Sequence, residues 1–440
     1  MLCAPMSRFL ADQRGGGTIM GLLWFMLLVG ITGMAVDTTN GFRSRTMLQA
    51  TADAAALAAV IDLPDQALAV DNALRYAGEN MPSYPYGDVL YAEDVLIGLW
   101  DAATNTLDTT AALPDAVMVT TRQAGANENP VPANFLRIVG LTEWNVQALA
   151  VAQRFVPECL KDGLVARGVI DISSNNGFVN SMCVHGQRGV QMQNNNSYQS
   201  GVTVSMPDPS SQLVIPAAGM TSNPGLPGAL RENILDPRMV NHIGEILVDL
   251  LNPASPIIPA YIDTSQPVIV VDSNFNFNTY LQGRIYHVVC NPNKQLKVPA
   301  NASLTNVVII SDCNISVGAK AYLSNVVLGS TALGNGVNPL AKANISFSAN
   351  VDLGVADNCA PGGGVQIFSA ASVHFSPSMT VNGVQIVAAG DVDLGARGQG
   401  VNGISVQAGQ DISLTSNNMF GLCSGGAPNL FTVGYYRLVM

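Results

Sequence analysis

One run of residues limits what this chain can be. Gly15 to Val36 (GGGTIMGLLWFMLLVGITGMAV) is 22 residues long, carries no charge, and lies between Arg14 and Asp37. A bilayer core takes about 20 apolar residues in helical form, so the run is long enough to span one. No other window among the 440 residues qualifies. The expectation is a single-pass membrane protein with a short tail (1–14), a transmembrane helix (15–36) and the rest of the chain on the far side. Gly15, Gly21, Leu22, Trp24, Leu27, Gly30, Gly33 and Val36 mark the anchor. Two alternatives compete with it. A cleaved signal peptide has an apolar core of roughly 7–15 residues and a small-residue cleavage site, and Gly33-Met-Ala35 matches such a site poorly. The other is a buried soluble helix, and 22 uncharged residues apolar on all sides fit a membrane span better.

Beyond Asp37 the chain reads on through GFRSRTMLQATADAAALAAVID, with strong helix formers from Ala50 to Val60. If Thr38–Gly41 does not kink it, a helix from Thr18 to Ile61 measures about 65 Å. Pro64 ends it, and Gln66 to Glu79 reads as a second amphipathic helix, so residues 37–80 are expected to be projecting helices. Residues 81–157 alternate loosely and read as a small, pilin-like α+β module.

The pattern RFLxDxRG, an apolar span ending GxAVD, then RxxLQxxADAAALAAV resembles the N-terminal region of TadG-like proteins. These belong to the Flp pilus-assembly, or tight-adherence, machinery of bacteria. The matching residues are Arg8, Phe9, Leu10, Asp12, Arg14, Gly15, Gly33, Ala35, Val36 and Asp37, then Arg45, Leu48, Gln49, Ala52, Asp53, Ala54, Ala55, Ala56 and Leu57. The resemblance implies a place in the inner membrane beside other pilus and pseudopilin components. The related pseudopilins carry a glutamate five residues after the glycine that prepilin peptidase cuts. Here the residues five after Gly15, Gly16 and Gly17 are Met20, Gly21 and Leu22, so the anchor is expected to be retained.

Charges flanking the anchor (Arg8, Asp12 and Arg14 before; Asp37, Arg43, Arg45 and Asp53 after) do little to set its orientation. The cysteines do more. Of seven, only Cys3 precedes the anchor; Cys159, Cys183, Cys290, Cys313, Cys359 and Cys423 follow it, without a CxxC pair or zinc-ligand spacing. Six dispersed cysteines in one compartment read as up to three disulfides, neighbour pairing being the simplest arrangement, with buried free thiols the alternative. An oxidising far side places the N-terminus in the cytoplasm and the C-terminal domains in the periplasm.

From residue 158 onward a repeat takes over. Leu304-Thr-Asn-Val-Val-Ile and Leu323-Ser-Asn-Val-Val-Leu lie 19 residues apart, as do Gly364-Val-Gln-Ile and Gly383-Val-Gln-Ile; Gly403-Ile-Ser-Val follows at 20. A second column runs through Val351, Val373, Val392 and Ile412 at spacings of 22, 19 and 20. Short strands every ~20 residues, broken by Gly, Asn and Ser, mark a solenoid in which each coil buries its core on its neighbours. We expect a right-handed parallel β-helix over 158–440, with an asparagine ladder near Asn194–Asn196 and a Pro-rich, partly helical insertion or lateral cap at about 207–282. A β-sandwich of short strands is the alternative. Stacking would align Asp352, His374, Asp393 and Ser413 on one outward face, with Arg397 nearby.

No P-loop, dinucleotide fingerprint, HExxH or GxSxG appears, so neither a cofactor nor a metal is expected. Asp411-Ile-Ser-Leu-Thr415 only approximates the DxSxS metal motif of von Willebrand type A domains, and Asp171-Ile-Ser173 falls short of it. The net charge of −11 argues against nucleic acid as a partner. The resemblance implies a structural, non-catalytic role in a tight-adherence pilus system, with surface polysaccharide one candidate partner and the adhesion target itself not readable from the sequence. The alternative is a membrane-tethered β-helical protein that binds or cuts polysaccharide through the Asp352–Ser413 ladder.

Overall fold

The structure is a computed structural model describing residues 16–291, 294–333, 343–358, 360–395, 400–423 and 431–440. It divides into one unit of Met1–Phe155 with Gly434–Met440, and a second of Val156–Val433.

In the first unit a single helix runs from Gly16 to Ile61. Thr38–Gly41 do not break it, and Thr39 returns its hydroxyl to the carbonyl of Ala35 (2.7 Å). Its N-terminal part is long and apolar enough to cross a membrane, with a mean hydropathy of 2.2 and almost nothing buried. Its C-terminal part has a buried face. Ala52, Ala55, Ala56 and Ala59 follow helical spacing and are fully buried. Facing them are Ala69, Ala73 and Ala77 of a second helix, Gln66–Asn80, which Asp65 caps by accepting from the Leu68 N–H (3.1 Å). Both helices pack on an antiparallel sheet ordered Thr106–Asp108, Val95–Asp101, Ala116–Gln123, Val146–Phe155, Tyr435–Leu438. The last strand lies at the end of the region assigned to the repeat, yet it does not join the stack. It pairs antiparallel with Val146–Phe155, and Arg437 lies over the Phe155 ring (4.4 Å).

In the second unit nearly every strand is parallel to its neighbours. One sheet runs in the order Leu230–Glu232, Thr203–Met206, Cys183–Gly186, Gly163–Ala166, Val401–Ala408, Thr380–Ala388, Asp352–Leu353 with Val365–Ser369, Tyr322–Ser330, Ser303–Ser311, Arg284–Val289 and Ile269–Asp272. A second sheet repeats that progression with Leu213–Val214, Gly189–Met192, Val169–Ile172, Ile412–Leu414, Val392–Leu394, Ser372–Phe375, Ala343–Phe347, Ile315–Val317 and Leu296–Val298. Each ~20-residue repeat thus adds one rung to each sheet. Between the rungs, Leu304, Val307, Ile309, Ile315 and Val317, with their equivalents in every repeat, form one continuous core.

The bends have a residue-level cause. Asn306 and Asn325 occupy equivalent places in two adjacent repeats, as do Gly383 and Gly403 in two later ones, all at φ between 52° and 64°. Asparagine and glycine are the residues that tolerate this left-handed region. Asn325 also donates to the Asn306 side chain (2.9 Å), which bonds these two bends to each other.

The chain enters this stack in its middle. Residues 163–232 build rungs toward one end; the chain then crosses to the far end and builds back until Val401–Ala408 pairs with Gly163–Ala166. The crossing must cover ten strand spacings, or about 48 Å. The segment that makes it is narrower than the insertion read from proline content. Leu213–Val214 and Leu230–Glu232 are rungs, as is Ile269–Asp272, which leaves 233–268 as the strap. Its helical pieces, Arg238–His242 and Ile243–Asp249, place Met239, Val240, Ile243 and Leu247 on Val308, Ile310, Val327, Phe368 and Val387. Along a strand, residues alternate between the two faces, so these strand residues point away from the core between the sheets. The strap covers them, which is why these strands read as nearly unbroken apolar runs.

Candidate functional site

The residues of the anchor motif converge on one joint in the first unit. Asp37 follows directly on the apolar run and is fully buried. Its carboxylate accepts from the backbone N–H groups of Asn134 (2.8 Å), Phe135 (2.9 Å) and Leu136 (2.7 Å). Burial pushes this carboxyl up, and the three bonds outweigh it, holding its pKa below the ordinary carboxylate value. One turn earlier, a Cβ built on Gly33 would lie 2.5 Å from Phe135 Cβ, so the glycine is the seat for that ring. Leu48 is buried with Met81, Val89 and Ala148, and its carbonyl accepts from the Thr121 hydroxyl (2.9 Å). Gln49 ties the helix to the sheet by donating to Leu149 O (3.1 Å) and Asp53 Oδ1 (2.8 Å). Leu57 packs on the alanine core.

Arg45 remains exposed. With Phe42, Gln49, Trp144 and Leu149 it lines a cleft of about 670 Å³ between helix and sheet. Among the anchor residues, Leu22, Trp24, Leu27 and Val36 are exposed, and a side chain at Gly21 or Gly30 would meet open space. Gly15 and the tail before it lie outside the described residues.

In the second unit the structure brings together three of the four ladder residues. His374 pairs with Asp393, and Asp393 with Ser413, in register. The His374 ring nitrogen Nδ1 is 3.5 Å from Asp393 Oδ2. Asp352 lies in the other sheet, between Tyr322 and Thr380. Ser346 takes the place beside His374, because Ala343–Phe347 supplies that rung. The 22-residue step between Val351 and Val373, longer than its neighbours, was the signal. Beyond Ser413 the row continues into Asp171, a neighbour the repeat columns missed, whose pKa burial raises. Among the described residues no group of three or more His, Cys, Asp or Glu is placed to hold a metal ion. Arg397 lies outside them.

Disulfides join Cys159 to Cys183 and Cys290 to Cys313. Cys423 is disulfide-bonded, and Cys359 lies outside the described residues.

The asparagine column is longer than the Asn194–Asn196 run implied. Asn418 N–H donates to Asn176 Oδ1 (3.0 Å), Asn176 N–H to Asn196 Oδ1 (2.9 Å), and Asn196 N–H to Asn223 Oδ1 (2.7 Å). Beside it Phe420, Phe178 and Tyr198 stack at 5.3 and 5.1 Å. Both columns cross the junction between the last rung and the first. The likeness of Ser174-Asn-Asn-Gly-Phe to Ser416-Asn-Asn-Met-Phe was the trace of this in the sequence.

Fold and joint together define a two-part protein: a helix capable of crossing a membrane, seated in a small antiparallel sheet, and a parallel-stranded repeat domain. The chain belongs to the family described as domain of unknown function DUF7867, whose model matches residues 163–424. Residues 15–66 match the Tad family, Flp pilus-assembly TadE/G-like, which ties this end of the chain to Flp pilus assembly. The motif residues from Gly15 to Leu57 fall inside that match. No curated protein and no solved structure matches the chain.

Proposed function

We propose that the chain is a non-catalytic, membrane-anchored component of a tight-adherence pilus system. In this reading Gly15–Val36 spans the inner membrane uncleaved, with the N-terminus in the cytoplasm. The repeat domain is a right-handed parallel β-helix in the periplasm, an oxidising compartment consistent with its disulfides, and offers a long surface for assembly or adhesion. The observation that carries the reading is the use made of the family motif. Leu48 and Gln49 fix the projecting helix to its sheet, and Asp37 fixes it to the loop that leaves that sheet. A rigid joint of this kind transmits position from the membrane-crossing part of the helix to the sheet on which it is seated.

Gly30, open on the helix surface, is free to meet a neighbouring pilin-like helix, whereas Gly33 is filled by Phe135. Deleting the gene should abolish Flp pili, and restoring the chain should recover them. Gly30→Leu should weaken recovery of partner proteins from detergent. Normal piliation in the deletion strain would sink the proposal.

A second reading, polysaccharide binding or cleavage, rests on the row His374–Asp393–Ser413–Asp171. Cleavage of polyuronates by the purified chain with calcium, lost in Asp393→Ala, would establish it instead.

A further inference from the structure

The segment 131–144 leaves the antiparallel sheet and returns to it as a closed loop. Val131 and Pro132 pair with Trp144 and Glu143, and the Ala133 N–H donates to Thr142 O (3.0 Å). Its contacts with the long helix have a direction. The Pro132 carbonyl accepts from Asn40 (3.4 Å), the amides of Asn134 to Leu136 reach Asp37, and Phe135 seats on Gly33. From Asn40 to Gly33 is seven residues, about 10 Å along the helix axis, and the descent is toward the apolar run. Phe135 therefore lies about 4–5 Å inside the limit that Val36 sets.

The tip that follows is apolar and unpartnered. Phe135, Ile138 and Leu141 are 45%, 80% and 40% exposed. The tip's one charge, Arg137, is exposed and long enough to reach back to water. Asp37, which would otherwise carry its charge at the edge of the hydrocarbon, is consumed by the loop's own backbone donors.

We propose that the loop Phe135–Leu141 is a second membrane contact: it inserts into the leaflet from which the anchor emerges, and its partner is lipid acyl chain. Continuity with the anchor selects lipid over a protein partner, because the exposed apolar side chains Phe135, Ile138 and Leu141 follow directly on the Gly33 contact and add to the apolar surface that Val36, Met34 and Ile31 present on the anchor. Such a wedge fixes the tilt and rotation of the helix against the bilayer, which a single span leaves free. The inference rests on Gly15–Val36 being a span, and the test separates the two.

The full chain is reconstituted in nanodiscs of phosphatidylethanolamine and phosphatidylglycerol, with or without brominated acyl chains. Comparing the unaltered chain with Trp24→Phe reads the anchor itself. In the Trp24→Phe background, Ile138→Trp reads the loop, with Leu141→Trp as a second position should the first disturb folding. Leu113→Trp is the water-exposed control. Leu113 is 82% exposed and near Asp115, whose backbone meets Arg154, which in turn reaches Leu63 at the helix's far end. The expected result is blue-shifted emission and loss of intensity in brominated lipid for positions 138 and 141, and neither for position 113. Quenching of Trp24 without quenching at 138 and 141 overturns the loop proposal and leaves the span. Blue-shifted but unquenched emission also overturns it, because protein would then cover the tip. An unquenched Trp24 overturns the span itself.

Discussion

The two units bury their cores by opposite means. The first uses side chains once each: Asp37 holds one loop, Gln49 one strand edge, and four alanines one helix face. The second uses positions many times over, so that Val326 does for one rung what Val307 and Val384 do for others. Single-use residues make a joint whose identity can be read in about fifty residues. Repetition makes a domain in which most positions are replaceable and the places where repetition breaks carry the specificity. At the junction where the last rung meets the first it is chain connectivity that breaks, while the asparagine and aromatic columns run through it.

That contrast is open to direct attack, because Trp24, Trp100 and Trp144 all lie in the first unit. Tryptophan emission thus reports one unit, and circular dichroism of the strands reports mainly the other. The largest effect is expected from Phe178→Ala at the junction. Phe178 is fully buried between Phe420 and Tyr198, and truncating such a ring costs about 3–5 kcal/mol. The strand signal should melt early in urea while the tryptophan transition stays in place. Coincident shifts of both signals would show that the units unfold as one.

Asn176→Ala should follow. It strands the Asn418 N–H and the Ser173 carbonyl in a buried column, at about 1–3 kcal/mol for each unsatisfied group. Asn194→Ala, at the rim of the same column, serves as the comparison and should cost clearly less. Equal losses would mean that the column has no special weight at the junction.

A pH effect comes next. His185 is fully buried, bonded to Ser205 (2.8 Å) and Gln187 (3.0 Å), and burial lowers its pKa from the ordinary 6.5. The fold therefore favours the neutral ring. The stability this contributes is complete above pH 6.5 and is lost as the pH falls from there toward the folded-state value. Urea midpoints of the strand signal between pH 7.5 and 5 should show this loss, and His185→Gln should flatten it. A loss that persists in the variant would assign it to another group.

How much of this was legible in the sequence follows from the same contrast. The repeat period, the inward valines and the asparagine turns could be read because a recurring physical need leaves a recurring residue. The strap's role could not, because Met239, Val240, Ile243 and Leu247 meet their partners across more than sixty residues of chain and no period announces them. Asp352 was misplaced for a related reason: a column of similar triplets does not reveal which sheet each triplet joins. In the first unit, the motif residues were recognisable as a set. Their chemistry was not, since Asp37 finds its donors 97 to 99 residues later.

Asp37 also supplies the last prediction. Its carboxyl is held below the ordinary value of 3.8, so the stability it contributes is present above that pH and disappears as the pH falls through the folded-state pKa. At neutral pH, Asp37→Asn keeps one acceptor oxygen but turns an NH₂ group toward donors that need a carboxylate. The loop should loosen while the alanine core stays intact. Amide exchange at Asn134, Phe135 and Leu136 is expected to accelerate several-fold, with little change at Val117 or Ala150 in the sheet. Uniformly faster exchange across the unit would mean that Asp37 supports the whole helix–sheet packing, and the division between a local joint and a repeated core would fail at its most specific residue.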